Sequence, residues 1–425
     1  MTPTKKPRVL VLGGNFAGLT AARFIREKCG DAVNMTLIDR KPYLIFVPNI
    51  PLEVFANEDP AERLHMPIVK YLDRDNIDFI QGNIQQVDID HSSVSYIPTE
   101  RSGGAIENIR YDYLVIALGA RLAYDKIEGF AENGYTLSDS YYGNRLREYL
   151  HGGGYKGGPI AIGSARFFQG NKNKPDWLPE SRAACDGPPL EVSMALASWL
   201  GDRSMGGPEK ITLFSPAKVI AEDAGQKIVK EFLDMAGQMG FKYQKDTPDI
   251  KKVSPDGIEF TNGNSIDAEL KIIFPNWQPH NLLKDLPITD EVGFVVTDLS
   301  MRNPDYSNIF ALGDCASLTV PKLGAHGHQQ AGIVANQIAK DLGKISADEA
   351  DKSFWPEIIC MGDMGHNKAF YIHSDAWYGG KTSIFKMGYT YYAMKLAFKE
   401  MYFRTGGKPP TWGIPLTEFV AEKAT

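Results

Sequence analysis

Cysteine is scarce in this chain, with four residues among 425: Cys29, Cys185, Cys315 and Cys360. No two stand in a C-x-x-C spacing, which argues against a zinc site, and four are too few to staple a secreted fold. Long apolar runs are missing as well, so no segment reads as a membrane-spanning helix. The start of the chain leads straight into a strand and carries no secretory pattern. Charge of one sign is also in short supply. Lys+Arg 46 against Asp+Glu 52 leaves a net charge of −6 and no concentrated basic face, so nucleic acid is not expected as a partner. There is no low-complexity stretch. A chain of 425 residues exceeds one hydrophobic core, and two or three domains are expected.

What is present is a strand, a glycine turn, a helix and a second strand. Arg8-Val9-Leu10-Val11-Leu12 reads as a buried strand and runs into Gly13-Gly14-Asn15-Phe16-Ala17-Gly18. A helical pattern covers residues 16 to about 27, and a strand over 34–38 ends on Asp39 and Arg40. This is the βαβ unit of a dinucleotide site. Gly13 permits the tight turn, Gly18 lets helix and strand approach, the helix start faces a pyrophosphate, and Asp39 reaches ribose hydroxyls. One departure stands out: Asn15 occupies the place of the middle glycine of GxGxxG. Residues 111–119 form another buried strand, with Ala117 and Gly119 at its end. Residues 158–163 open a second unit, continued by a helix over 190–200 and strands at 210–214 and 270–274. Residues 308–314 return to the first unit, a helix over about 328–342 follows, and residues 76–110 suit a small antiparallel insertion. The fold class is α/β, with two Rossmann-like dinucleotide-binding domains, 1–140 with 290–345 and 150–289, plus a C-terminal region, 346–425.

The order of these motifs resembles the disulfide-oxidoreductase-like flavoproteins, which include type II NADH dehydrogenases and sulfide:quinone oxidoreductases. The resemblance implies FAD, held by Gly13, Gly14, Asn15, Phe16, Ala17, Gly18, Asp39, Arg40, Pro48, Ala117, Gly119, Gly313, Asp314 and His326. The helix opening at Gly324-Ala325-His326-Gly327-His328 would point at the flavin pyrimidine, its dipole favouring reduced, anionic flavin. His326 or His328 would replace the lysine common there. The second unit lacks both marks of an NADH site: no glycine turn follows Gly163, and Ser215 rather than an acid follows Phe214.

Cys185 precedes a predicted helix with Glu191 six residues on, a setting that lowers a thiol's pKa, although a lone cysteine is equally an inert small residue. Cys360 follows an apolar strand and precedes a Gly362-Asp363 turn. Cys185, Gly187, Pro188 and Glu191 match the Cys-x-Gly-Pro-x-x-Glu segment of the sulfide:quinone oxidoreductase family and of flavocytochrome c sulfide dehydrogenase. Cys360, Asp363 and Gly365 match their Cys-x-x-Asp-x-Gly segment. Residues 43–49 with Pro51, and Met66-Pro67-Ile68, extend the resemblance over essentially the whole chain. It implies a Cys185/Cys360 redox pair over the flavin. Hydrosulfide would attack that pair and leave a persulfide on one cysteine. Glu191 would serve as general acid/base; the plainer reading is a solvated helix carboxylate. The family's third cysteine has no counterpart in residues 134–138, and no flavin-linking cysteine stands near Val47 to Ile50, so noncovalent FAD is expected. An insertion over about 166–182, with Lys172 and Lys174, precedes Cys185, while Cys29 and Cys315 read as structural.

Past residue 380, Ile384, Met387, Tyr391, Met394, Phe398 and Met401 recur at spacings of three and four, ringed by Lys381, Lys386, Lys395, Lys399, Arg404 and Lys408. The pattern predicts one basic amphipathic helix for a membrane interface; a helix packed on the core or in a dimer interface fits it too. Phe370, Tyr391 and Phe398 would line a quinone channel. The resemblance thus implies a peripheral membrane protein and homo-oligomer that oxidises sulfide to polysulfide or sulfur and reduces quinone. The alternatives are a type II NADH:quinone dehydrogenase, whose quinone-side glutamines His328-Gln329-Gln330 resembles, and a flavocytochrome c-type sulfide dehydrogenase subunit.

Overall fold

A computed structural model describes residues 6–99, 104–170, 172 and 174–409. The first unit begins with β1 (Arg8–Leu12), α1 (Phe16–Cys29) and β2 (Asn34–Asp39). β3 (Asp78–Asp88), β4 (Ser93–Pro98), β5 (Glu107–Arg110) and β6 (Tyr113–Ile116) follow. The second unit contributes β7 (Ile160–Ser164), α2 (Gly187–Asp202), β8 (Ile211–Phe214), β9 (Lys242–Gln244) and β10 (Leu270–Phe274). The chain then returns through β11 (Ile309–Ala311) and α3 (Gly324–Asp341). It ends its described part with β12 (Ile358–Gly365), β13 (Lys368–Ser374), β14 (Ser383–Gly388) and α4 (Tyr389–Thr405).

Seven strands form the first sheet in the order β11-β6-β1-β2-β3-β4-β5. Its centre is parallel, and β1 is apolar along its length because both its faces are covered: Val9 to Leu12 are fully buried. β4 and β5 add the antiparallel edge expected near residues 76–110. The second sheet, β9-β8-β7-β10, is wholly parallel. α2 is buried almost throughout because it lies between this sheet and β12. α1 and α3 pack on each other, which brings the two glycine-rich helix starts together.

The C-terminal region departs from the sequence reading. The apolar stripe beginning at Ile384 is not one helix. Ile384 and Met387 belong to β14, which pairs with β13, and Gly388 at φ +143 breaks the chain before α4 begins. Cys360 likewise precedes no Gly-Asp turn. It sits inside β12 opposite Ile372, and the reversal comes later, at His366 and Asn367 with positive φ. Buried Arg23 anchors the end of α4, donating to the carbonyls of Thr405 and Gly406 at 2.7 Å and to Asp75 at 2.6 Å. Among the described residues no helix is long and apolar enough to cross a membrane. Residues 410–425 of the expected C-terminal region lie outside the described part.

Candidate active site

The turn after β1 closes only with glycine. Gly13 adopts φ +99, and a Cβ there would lie 2.3 Å from the Ala117 carbonyl oxygen; one on Gly18 would lie 2.0 Å from the Gly13 oxygen. Asn15 has φ −89, open to any residue, so the missing middle glycine costs no backbone strain. The first turn of α1 has no side-chain cap and no acid, leaving its amides for a ligand. Asp39, at the tip of β2, accepts from Gly14 N at 2.6 Å and Lys41 N at 2.8 Å, with Arg40 exposed beside it. On the other side, Cβ atoms on Gly313 and Gly327 would come within 2.9 and 3.0 Å of the Ala17 Cβ. Three chain segments thus meet around the start of α1 with bare backbone, a cradle that side chains would fill. Gly119, at φ +69, and Ala117 close it from β6.

A cavity beside this cradle is lined by Gly313, Asp314, Lys322, His326 and Gln330. Lys322, which sequence reasoning did not single out, lines this cavity together with His326. Lys322 is buried, donates to the Ala316 carbonyl at 2.9 Å and lies 5.0 Å from the Phe294 ring, and burial pushes its pKa down to about 8. Burial pushes Asp314 the other way, up to about 6, against the pull of Lys322. His326 is fixed between the Pro321 and Glu357 carbonyls at 3.0 and 3.1 Å, and burial pushes it down to about 4.

The two cysteines of interest converge at Gly187, the first residue of α2. A Cβ there would lie 3.3 Å from the Cys360 sulfur, tighter than an ordinary contact, and 3.8 Å from the Cys185 sulfur. Both are free thiols. The helix start was expected to lower the Cys185 pKa, but burial outweighs it and raises that pKa well above the usual thiol value. The neighbouring Cys360 and Asp223 add to the rise, and only the Gly187 amide opposes it. Burial and the Glu191 charge push Cys360 up to about 12. The site therefore favours neutral sulfur over thiolate.

Glu191, one turn into α2, is buried and not solvated. Its Oε1 accepts from Asp363 N at 3.0 Å and from Lys395 Nζ at 2.5 Å. Burial raises its pKa, opposed by that ammonium. Lys395 escapes a reading that places every lysine of α4 on a wet face. It is 3% exposed and also donates to the carbonyls of Met361 at 3.0 Å and Pro48 at 3.1 Å. A lysine four residues after Tyr391, on the same helix face, was the available signal.

In the second unit the strand ends that would carry a glycine turn and a ribose-binding acid are tied to each other. Ser164 Oγ donates to Asp186 Oδ1 at 3.0 Å; Ser215 Oγ and Ala221 N both donate to Asp186 Oδ2 at 3.1 Å. Asp186 is buried directly after Cys185. The insertion is pinned by Arg166–Asp249 and Arg182–Asp246 ion pairs at 2.9 Å, and its Trp177 stacks on Trp355 at 4.9 Å. Cys29 and Cys315 are buried, and Cys315 Sγ donates to the Ile116 carbonyl at 3.2 Å.

Residues 7–331 match the family model described as pyridine nucleotide-disulphide oxidoreductase. This chain belongs to that family. It is therefore an oxidoreductase, and the family implies FAD at the α1 cradle, whose bare backbone and Asp39 fit such a group. The chain is similar to the sulfide-quinone reductase of Aquifex aeolicus, 25% identical over 95% of this chain and 93% of that protein. It is also similar to the mitochondrial sulfide:quinone oxidoreductase of Mus musculus, 26% identical over 77% of this chain and 69% of that protein. The X-ray structure of the sulfide:quinone oxidoreductase from Aquifex aeolicus shares its fold, with TM-score 0.79, 23% identity, and coverage of 97% and 95% of the two chains. Coverage of 95% carries the similarity past residue 331, where the family model ends, and so into the region of Cys360.

In this oxidoreductase the three aromatics expected around a quinone do not share one surface. Phe370 and Tyr371 are neighbours on β13 and face opposite sides of the sheet. Phe370 is buried against Gly362 and Phe232, whereas Tyr391 stacks on Tyr371 at 5.8 Å. Phe398 joins a different group, 5.9 Å from Phe46 and 5.8 Å from Tyr402. Phe16, at the start of α1, completes that group at 5.8 Å from Phe46 and 5.5 Å from Tyr402.

Proposed function

We propose that this oxidoreductase is a sulfide:quinone oxidoreductase that takes electrons from hydrosulfide at Cys185 and Cys360 and reduces a quinone at a membrane surface. The observation that carries the reading is the meeting of both sulfurs at Gly187, beside strand ends closed to a second nucleotide by Asp186. Noncovalent FAD would be held by the α1 cradle and would supply the two-electron acceptor between the two substrates. The sequence relatives named sulfide:quinone oxidoreductase support the substrate pair.

The cysteine chemistry balances without a further oxidant. In the oxidised state Cys185 and Cys360 form a disulfide. Hydrosulfide attacks one sulfur, a new S–S bond forms as the disulfide breaks, and a persulfide and a thiolate remain. The sulfide sulfur is oxidised by two electrons and the disulfide is reduced by two. Burial disfavours a lasting thiolate, and Glu191, whose charge acts on Cys360, would hold or release a proton there. Each further sulfur added toward polysulfide would release two more electrons, which bound FAD would accept and quinone would take up. Phe16, Phe46, Phe398 and Tyr402 form an aromatic wall between the cradle and α4 that suits a quinone ring. Exposed Met387, Tyr389 and Leu396 around the start of α4 suit a bilayer surface.

Anaerobic titration of the flavin-loaded protein tests the reading. Hydrosulfide should bleach the flavin absorbance and NADH should leave it unchanged. Bleaching by NADH with no response to sulfide overturns it. Full sulfide-dependent quinone reduction in both Cys185→Ser and Cys360→Ser overturns the thiol chemistry.

A further inference from the structure

A second buried acid lies between the segments that carry the two cysteines, in no motif of the sequence. Asp223 belongs to the short 3-10 turn Glu222–Ala224, which follows Ala221 at φ +54, and it is 8% exposed. The turn is wedged between the two cysteine-bearing segments. On one side Asp186, the neighbour of Cys185, accepts from Ala221 N at 3.1 Å. On the other, a Cβ on Gly225 would lie 3.1 Å from the Ala376 Cβ and 3.7 Å from Ser374 Oγ. Ser374 pairs across the sheet with Ile358, on the strand that carries Cys360. Tyr378 follows in the same segment. It is 4% exposed, and its hydroxyl has no hydrogen-bond partner among the described residues. The Asp223 charge is felt by Cys185, by Cys360 and by Tyr378.

Glu191 and Asp223 differ in one respect. Glu191 is held by Lys395 and by the Asp363 amide. Among the described residues no lysine or arginine pairs with Asp223, and the charged groups acting on it are Asp186 and Glu222. Burial and the Asp186 charge push it up to about 7, against hydrogen bonds from its own amide and that of Ala224. A buried acid with no cationic partner among the described residues, and a buried phenol without a hydrogen-bond partner on the turn packed against it, make a site for a proton-bearing guest.

We infer that Asp223 is the proton acceptor for hydrogen sulfide at the Cys185/Cys360 pair, with the Tyr378 hydroxyl donating a hydrogen bond to the bound sulfide. This rests on the sulfide reading above. Neutral hydrogen sulfide enters a buried site without the cost of desolvating an anion. One proton passes from its sulfur to the Asp223 carboxylate. The resulting hydrosulfide bonds to one cysteine sulfur while the disulfide bond breaks, and the other sulfur leaves as thiolate. Asp223 returns its proton to that thiolate, whose burial favours the neutral form. Hydrogen sulfide and a disulfide thus give one persulfide and one thiol.

The test is stopped-flow flavin reduction by sulfide in the flavin-loaded protein, followed against pH. Asp223→Asn should slow the reduction on the order of 100-fold or more and abolish its rise through neutral pH, with Asp223→Glu recovering part of both. Tyr378→Phe, which keeps the ring and removes one unpaired hydroxyl, should raise the sulfide KM several-fold with little change in kcat. A second readout needs no turnover: alkylation of the reduced thiols by iodoacetamide should shift to lower pH in Asp223→Asn, because a repelling carboxylate is gone. Parent-like rate and pH profile in Asp223→Asn, an unmoved alkylation profile, or an unchanged KM in Tyr378→Phe overturns the assignment. If Cys185→Ser and Cys360→Ser are inactive while Asp223→Asn is fully active, the proton acceptor alone is wrong. If the cysteine variants keep full activity, the sulfide reading itself fails.

Discussion

Lys395 Nζ stands 2.5 Å from Glu191 Oε1 with both side chains buried, and this pair ties α4 to the helix that begins beside Cys185. Removing one member of a buried pair leaves the other uncompensated and costs about 3 to 5 kcal/mol. Lys395→Met should therefore destabilise the protein strongly in urea titrations at about pH 8 and less at about pH 5, where Glu191 takes up a proton instead. Adding Glu191→Gln should recover part of the loss. An equal loss at both pH values would show that the ammonium matters for packing and not for charge.

That pair also marks how far the site was legible. Cys185, Gly187, Glu191 and Cys360 were legible because each lies in a short segment that resembles a family pattern, while spacing alone left Cys185 equally an inert small residue. Lys395 sits on α4 and was assigned to solvent, since a lysine among lysines looks like a wet face; its place between Tyr391 and Tyr402 on the buried side was the contrary signal. Asp223 and Tyr378 gave no signal. They lie in single 3-10 turns without periodicity, and only tertiary packing brings those turns together.

The parallel strands and the α1 turn were legible because each has a one-dimensional cause: full burial makes a strand apolar on both faces, and backbone contact demands glycine. Gly18→Ala forces a Cβ to 2.0 Å from the Gly13 oxygen. It should cost about 1 to 3 kcal/mol and yield purified protein with most of its flavin missing, read from the ratio of flavin to protein absorbance. Asn15→Gly should leave that ratio unchanged, because φ −89 makes no demand for glycine. Loss of flavin in Asn15→Gly would instead assign the Asn15 side chain a direct contact.

Acid should destabilise the protein through two histidines of α3. Burial pushes His326 and His328 from the ordinary 6.5 down to about 4, and His328 Nδ1 lies 2.8 Å from Thr20 Oγ1. Between those values the unfolded chain binds protons that the folded chain refuses, so stability falls as pH drops through this window. The loss is at most about 3 kcal/mol for each ring. Asp314, pushed up to about 6, titrates in the opposite sense over part of the range, so the variant is compared with its parent. His328→Asn should flatten the fall in urea midpoint between about pH 6.5 and about pH 4. A slope as steep as the parent's assigns the acid sensitivity to other groups.

On the proposed function, the start of α4 would be the part that meets a membrane. The sequence pattern suggested a lysine-rich face turned to headgroups, and Ile384 and Met387 seemed to extend a helix because two strand residues three apart mimic its spacing. Instead Lys395 faces Glu191, and Lys399 lies 2.5 Å from Glu53 Oε1. The large apolar side chains left exposed there are Met387 at 46%, Tyr389 at 64% and Leu396 at 40%. Membrane attachment should therefore depend more on these side chains than on salt. Replacing all three with serine should weaken sedimentation with anionic vesicles by roughly tenfold or more, since each large apolar side chain contributes about 1 kcal/mol or more on partial burial. Raising the salt concentration should weaken binding of the parent only modestly, because two of the lysines near the site are already neutralised within the fold. Binding that vanishes at high salt and ignores the serine substitutions would place attachment on the basic residues and not on this apolar rim.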